Sequence, residues 1–203
     1  MIEYLFINFA ASMARHRDYS KIEQIFESTL KLVLEKGFAG LKMAEVAKEA
    51  NLATGTVYIY FKDKDDLINQ LYLFLKRRKT ILFLQGIDQK EEFDLVLKKI
   101  WFAYFEVTMQ HVNESAFLEQ YYRSPFLKSN VKEESKQILK PIYDLLDRGV
   151  KEGKLQSVNV EILLSQIVGP IHEMIRAYHD GAIEINAETM NQLYLLVMKG
   201  IKT

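Results

Sequence analysis

Apolar residues recur along this chain at intervals of three and four, the spacing of one face of an α-helix, while the strict apolar–polar alternation of a strand is scarce. About nine helices and an all-α fold are expected. In the first, about 21–36, Ile22, Ile25, Phe26, Thr29, Leu30 and Val33 share a face. Ser20 and Glu23 before it have the spacing of a capping box, and Gly37 follows as a residue that tolerates a left-handed helix end. Helices at 43–50 and 54–61 come next, separated only by Asn51, Leu52 and Ala53. Asp63 is placed to cap a long helix reaching Leu84, with Asp66 favourable in its first turn and Leu67, Ile68, Leu71, Leu75 and Ile81 along it. After a polar loop at 85–90, helices are expected at 91–110, 114–123, 131–152, 159–180 and 187–202. Asn113, Ser124-Pro125, Gly153, Gly181 and Asn186 supply the breaks.

Composition narrows the class. The chain has 203 residues, 49% of them hydrophobic, and three prolines, which is globular rather than disordered usage. It has no cysteine, hence no disulfide framework and no thiolate metal site, and a reducing cytoplasm is the expected location. No apolar run approaches the ~18 residues of a membrane span. Tyr4–Ala14 is apolar in the manner of a signal peptide, but Glu3 precedes it where such peptides carry Lys or Arg. A start at Met13 would make Met13-Ala14-Arg15-His16-Arg17 a short basic arm; a genuine N-terminal extension is the other reading.

Lys+Arg and Asp+Glu are both 27, so overall charge does not announce a nucleic-acid binder. The stretch 43–61 points to one nonetheless. Two short helices joined by three residues have helix-turn-helix geometry. Val46, Ala47, Leu52 and Val57 are spaced to pack together and against the first helix. Asn51 stands where the turn needs a left-handed residue. The second helix would enter the major groove with Thr54, Gly55, Thr56, Tyr58, Ile59 and Tyr60 outward. Thr hydroxyls reach bases or phosphates, Tyr hydroxyls suit phosphates, and Gly55 allows close approach. Lys62 and Lys64 add positive charge.

Gly37-Phe38, Val46-Ala47 and above all Gly55-Thr56-Val57-Tyr58-x-Tyr60-Phe61-x-x-Lys64-x-x-Leu67 resemble the DNA-binding domain of TetR-family regulators, over about 20–71. The resemblance implies an N-terminal extension or arm at 1–19, a three-helix DNA-binding head at 20–71, and a helical effector-binding and dimerising body at 72–203. It further implies a homodimeric repressor of a palindromic double-stranded DNA operator, released by a small hydrophobic or amphipathic effector. Its DNA-contact candidates are Lys42, Thr54, Gly55, Thr56, Tyr58, Tyr60, Lys62 and Lys64. Two positions depart from the family pattern: Leu41-Lys42 and Ala53 stand where hydroxyl residues usually cap the two short helices. Positive and negative residues nearly balance from Ser20 to Lys64, so a modest salt dependence of binding is expected.

The body offers further candidates. Trp101, Tyr104, Phe105, Phe117, Tyr121 and Tyr122 concentrate aromatic surface with hydroxyl handles, as an effector pocket or as plain core. Ile167, Ile171, Met174, Met190, Leu193 and Val197 lie on wide apolar stripes of the last two helices, as a dimer interface or as monomer core. Lys76-Arg77-Arg78-Lys79 is expected to be a solvated helix face. His172 and Glu173 resemble half a zinc motif, but His179 is two turns away, so no metal is expected. No phosphate loop, nucleophile elbow or paired-acid arrangement stands out; neither catalytic residue nor cofactor is nominated. Two rivals stay open: a DNA-binding factor controlled by a protein partner, and a helical scaffold that has lost DNA binding.

Overall fold

Regular structure in the computed structural model, which describes residues 19–203, consists of ten α-helices and one isolated bridge between Leu155 and Lys202. The helices are α1 (Tyr19–Gly40), α2 (Met43–Glu49), α3 (Thr54–Tyr60), α4 (Lys64–Leu84), α5 (Phe93–Gln110), α6 (Val112–Tyr122), α7 (Ser129–Ile138), α8 (Lys140–Lys151), α9 (Val160–His179) and α10 (Ala187–Ile201). The expectations about residues 1–18 lie outside the described residues. No helix among the described residues is long and apolar enough to cross a membrane.

Several helix ends follow from side-chain chemistry. Gly37, at φ 72° and ψ 170°, leaves helical geometry inside α1, so the regular helix stops where a glycine permits it. The Asp63 carboxylate accepts a hydrogen bond from the Asp66 backbone N–H at 2.8 Å, and the Asp66 carboxylate accepts one from Lys62 N–H at 2.8 Å. Asn159 caps α9 through Glu161 N–H, and Asn186 with Thr189 forms a reciprocal capping box on α10.

Four expectations need correction. The helix expected at 131–152 is two helices, because Pro141 sits in the first turn of α8, where its missing N–H costs nothing and its ring cannot continue a preceding helix. Asn113 lies inside α6, which starts at Val112, and Ser20 lies inside α1 rather than before it. Lys79 is buried rather than solvated, at 7% exposure, and Lys76, Arg77 and Arg78 are half-buried.

The chain separates into two compact units. Of the described residues, one comprises 19–81 with His111–Ser135; the other comprises Leu82–Gln110 with Lys136–Thr203. In the first, Ile25, Phe26, Val46, Val57, Phe61, Leu67, Leu71 and Tyr72 are buried. The α6 segment joins it through rings: Phe38 lies 5.5 Å from Phe117 and 5.3 Å from Tyr121, and Phe117 stacks on Tyr121. Ion pairs Arg77–Glu134 and Arg78–Glu114 add to it. The Lys79 ammonium donates to Ser115 Oγ at 3.0 Å.

The second unit has a core of Phe83, Phe93, Val96, Trp101, Phe105, Leu146, Leu155, Ile171 and Val197. Packing there is close enough to dictate a residue type. A Cβ at Gly149 would lie 2.4 Å from the Phe93 ring, so only glycine lets α8 approach it.

Candidate DNA-contact surface

The helix-turn-helix is assembled by its own small and apolar residues. Val46, Ala47 and Val57 are at most 1% exposed, and the small Ala47 allows α2 and α3 to close on each other. Asn51 takes the left-handed conformation at φ 53°, and Leu52 N–H reaches back to Ala47 C=O at 2.8 Å. Beneath α3, Phe61 is fully buried with its ring 5.4 Å from Phe26, which in turn lies 5.0 Å from Phe74. Each such ring contributes about 1.5–3 kcal/mol by burial, so α3 is fixed from below.

It is not fixed from its end. Ala53 is the N-cap of α3 and Lys42 that of α2, and neither supplies a side-chain cap. The hydroxyl-bearing Thr54 is the first residue of the helix proper rather than its N-cap. Each missing cap forgoes about 0.5–2 kcal/mol.

At about 100° per residue, Thr54, Tyr58, Gly55 and Ile59 fall in that order on an arc of roughly 140°. All four are exposed, Tyr58 at 52% and Ile59 at 64%. Val57 and Tyr60 lie on the opposite side and are buried; Thr56 is half-buried between. Tyr60 therefore departs from the expected outward placement. It follows Val57 by three residues and shares its inward face, its ring 6.5 Å from that of Phe61.

The nearby cations differ in exposure and in partners. Lys42 and Lys62 are exposed, Lys42 with Glu45 at 4.0 Å. Lys64 is half-buried, and its ammonium points toward the carbonyls of Phe38 and Ala39 at 3.4 and 3.5 Å, beyond the end of the regular part of α1. Lys31 pairs with Glu49 at 2.6 Å and Lys36 with Glu45 at 2.7 Å, tying α1 to α2. The Lys36 hydrogen bond holds the Glu45 carboxyl below its usual range. Several lysines near α3 thus have acidic partners, which keeps the surface field modest.

The other candidates are distributed by packing. Phe117 and Tyr121 belong to the first unit's core; Tyr121 donates to Asn69 Oδ1, and burial pushes its phenol up to about 12. Tyr122 is exposed. Trp101 and Phe105 belong to the second unit's core, where Tyr104 pairs with His172 Nε2 at 2.9 Å. The six aromatics therefore do not form one cluster. Trp101 packs against Phe102 and Tyr194, and its buried indole N–H has no hydrogen-bond partner among the described residues.

Ile167, Ile171, Met174 and Val197 are buried within the second unit, so they are core of the single chain; Met190 and Leu193 are half-buried against them. The large apolar residues that α9 and α10 leave exposed are Ile162 at 58%, Leu195 at 56%, Leu196 at 68% and, less so, Tyr178 at 42%. Ile162, Leu195 and Leu196 were legible as apolar positions out of phase with the buried stripe.

Residues 25–71 match the family described as bacterial regulatory proteins, tetR family. The chain is 30% identical over 142 residues to an uncharacterized HTH-type transcriptional regulator of Haemophilus influenzae, a match covering 70% of this chain and 74% of that protein. Its fold is similar to that of a TetR family transcription regulator from Marinobacter aquaeolei, with TM-score 0.86, 20% identity and coverage of 93% and 99% of the two chains. It is also similar to the transcriptional regulator FadR from Bacillus subtilis solved in complex with stearoyl-CoA, with TM-score 0.68, 22% identity and coverage of 88% and 98%.

Proposed function

Because this chain belongs to the TetR family of bacterial regulatory proteins, we propose that two copies of it bind a near-palindromic operator and repress the adjoining gene until a small amphipathic effector releases them. The chain is a DNA-binding transcriptional regulator; the operator geometry, the contact residues and the effector are the proposed parts. The observation that carries the reading is the exposed arc Thr54, Gly55, Tyr58 and Ile59 on the second helix of the helix-turn-helix, backed by buried Val57, Tyr60 and Phe61. That arc meets base edges, and Lys42, Lys62 and the Tyr58 hydroxyl meet phosphates. Thr56 serves from its half-buried edge. Lys64 and Tyr60 act chiefly by holding α3 in place.

Ile162, Leu195 and Leu196 support a twofold pairing through α9 and α10, since a large exposed apolar face on two adjacent helices is best buried against a copy of itself. Such a dimer presents two α3 helices to half-sites about one helical turn, roughly 34 Å, apart. For the effector, the aromatic second-unit core, the Tyr104–His172 pair and the unpaired Trp101 N–H favour a ligand with an apolar body and a hydrogen-bonding end. The stearoyl-CoA bound by the structurally similar FadR is of that kind. Its arrival would lower operator affinity by favouring a state with the recognition helices misplaced, and α4, which carries residues of both units, is the natural connection.

The test is selection of DNA from a random duplex pool by the purified chain, with Lys62→Ala and Tyr58→Ala variants alongside. A recovered palindrome bound less well by both variants is expected. No enrichment at low salt by a folded dimer would overturn the reading. Adding stearoyl-CoA to the recovered complex then tests the effector: unchanged affinity would remove acyl-CoA from consideration.

A further inference from the structure

The chemistry of α3 restricts which bases it can read. Its sequence, Thr54-Gly55-Thr56-Val57-Tyr58-Ile59-Tyr60, holds no Arg, Lys, Asn, Gln, Asp, Glu or His. Two-pronged hydrogen bonding to guanine or adenine requires Arg, Lys, Asn or Gln, and the charged acceptor for the cytosine amine is a carboxylate, whereas a single hydroxyl contact does not discriminate among the bases. None of these is available from this helix. What remains outward is hydroxyl groups and one aliphatic side chain.

That side chain is Ile59. At 64% it is, among the described residues, the most exposed large hydrophobic residue of the first unit, ahead of Tyr58, Tyr122 and Phe126. An isoleucine in such a place forms no hydrogen bond with water or phosphate. In the major groove the one apolar group on a base edge is the thymine methyl.

A second, independent feature lies in the same row. Gly55 precedes Ile59 by four residues, one turn along the helix. Its φ is not positive, and a Cβ built there meets nothing within 4 Å. The fold therefore does not require glycine at this position, although glycine weakens a helix relative to alanine. A requirement imposed from outside the chain accounts for it: a surface that comes against the bare backbone at Gly55 and so brings Ile59 down upon its neighbour.

We propose that Ile59 reads the 5-methyl group of a thymine in each operator half-site, and that Gly55 sets the closeness of that contact. This rests on the DNA-binding reading above and adds to it the identity of the recognised group. The half-site is then thymine-dependent beneath α3 and carries no guanine read in two-pronged fashion by this helix.

The test uses the full-length dimer and the operator recovered by selection. Each thymine is replaced singly by deoxyuridine, which removes the methyl and leaves base pairing intact. One position per half-site is expected to lose about fourfold in affinity, the factor that burying one methyl group contributes. With Ile59→Ala, whose fold is checked by circular dichroism and thermal melting, that position should lose less than about 1.5-fold on the same scale. A recovered operator bound equally well after every thymine replacement overturns the proposal while leaving the regulator reading intact. Equal sensitivity in wild type and Ile59→Ala also overturns it. Failure to recover any sequence overturns the regulator reading, and the proposal with it.

Discussion

Helices α3 and α10 both expose large apolar residues, yet they are built in opposite ways. α10 has 15 residues and starts on a reciprocal capping box of Asn186 and Thr189. α3 has seven residues, starts on Ala53 and has no side-chain cap. A helix of two turns without a cap has no stability of its own; α3 exists because Val57, Tyr60 and Phe61 pin it to the first unit. The comparison separates two roles of sequence. α10 is specified locally and contributes a surface by the way its stripe runs, whereas α3 is specified by what lies under it. Its outward positions are thereby left to the needs of contact.

The largest expected effect tests that dependence. Phe61→Ala should destabilise the chain by about 3–5 kcal/mol and remove DNA binding, as read by urea unfolding; a loss below about 1 kcal/mol would mean α3 has another support. The counterpart on α10 is Leu196→Asp. It should convert a dimer to monomers in sedimentation and weaken operator binding by about 100-fold or more through lost bivalency. An unaltered dimer would remove Leu196 from the interface.

Next come two buried amines of the first unit, Lys76 and Lys79. Burial, and then the neighbouring Lys76 charge, push the Lys79 ammonium down to about 7, against partial compensation by Glu114 and Glu119; burial alone pushes Lys76 down to about 8. Unfolded, both amines keep their protons to about pH 10.4. Between pH 7 and 10 the unfolded chain therefore binds more protons, and stability should rise with pH across that window. Below pH 7 the cost of the buried charge is fully present. Lys79→Met should raise stability at pH 7 by on the order of 1–4 kcal/mol and flatten the pH dependence of melting. An unchanged slope would show that the amine is hydrated in solution.

The caps supply a pair of smaller effects with opposite signs. Asn186→Ala should cost about 0.5–2 kcal/mol, and Ala53→Ser should add up to a similar amount; equal signs would break the contrast between the two helices. Smallest in stability is Gly55→Ala, expected to change the melt by no more than about 1 kcal/mol, in the stabilising direction. Operator affinity should nonetheless fall, and stability and binding moving together would assign Gly55 to the fold.

Much of the DNA-binding unit was legible because its signals are local. Asn51 at a left-handed turn, Gly37 at a helix end and Asp63 as a cap each follow from one side chain and its immediate backbone. What sequence periodicity missed depended on partners far along the chain. Tyr60 is placed by Phe61 and the core beneath it, Lys64 by carbonyls of Phe38 and Ala39, and Lys79 by Ser115. The apolar stripe of the last two helices was left open between a dimer interface and monomer core, and Ile167, Ile171, Met174 and Val197 on it are buried within the single chain. Ile162, Leu195 and Leu196 lie off the stripe, and exposure distinguishes them only once the stripe is known to face inward. Pro141 was visible throughout, and a proline inside an expected helix was the signal to divide it.

Trp101, the only tryptophan in the chain, gives the molecule a built-in optical label. It is 1% exposed and lies in the core of the second unit, so its ultraviolet emission should be blue-shifted and follow that unit alone. The DNA-binding unit, which has tyrosines but no tryptophan, is dark to red-edge excitation. Melting of the head would then register in far-ultraviolet dichroism and leave the fluorescence untouched, while a molecule entering beside Trp101 would quench or shift it without touching the dichroism. Two cheap signals thus divide melting of the first unit from events in the core of the second, without a dye or a mutation.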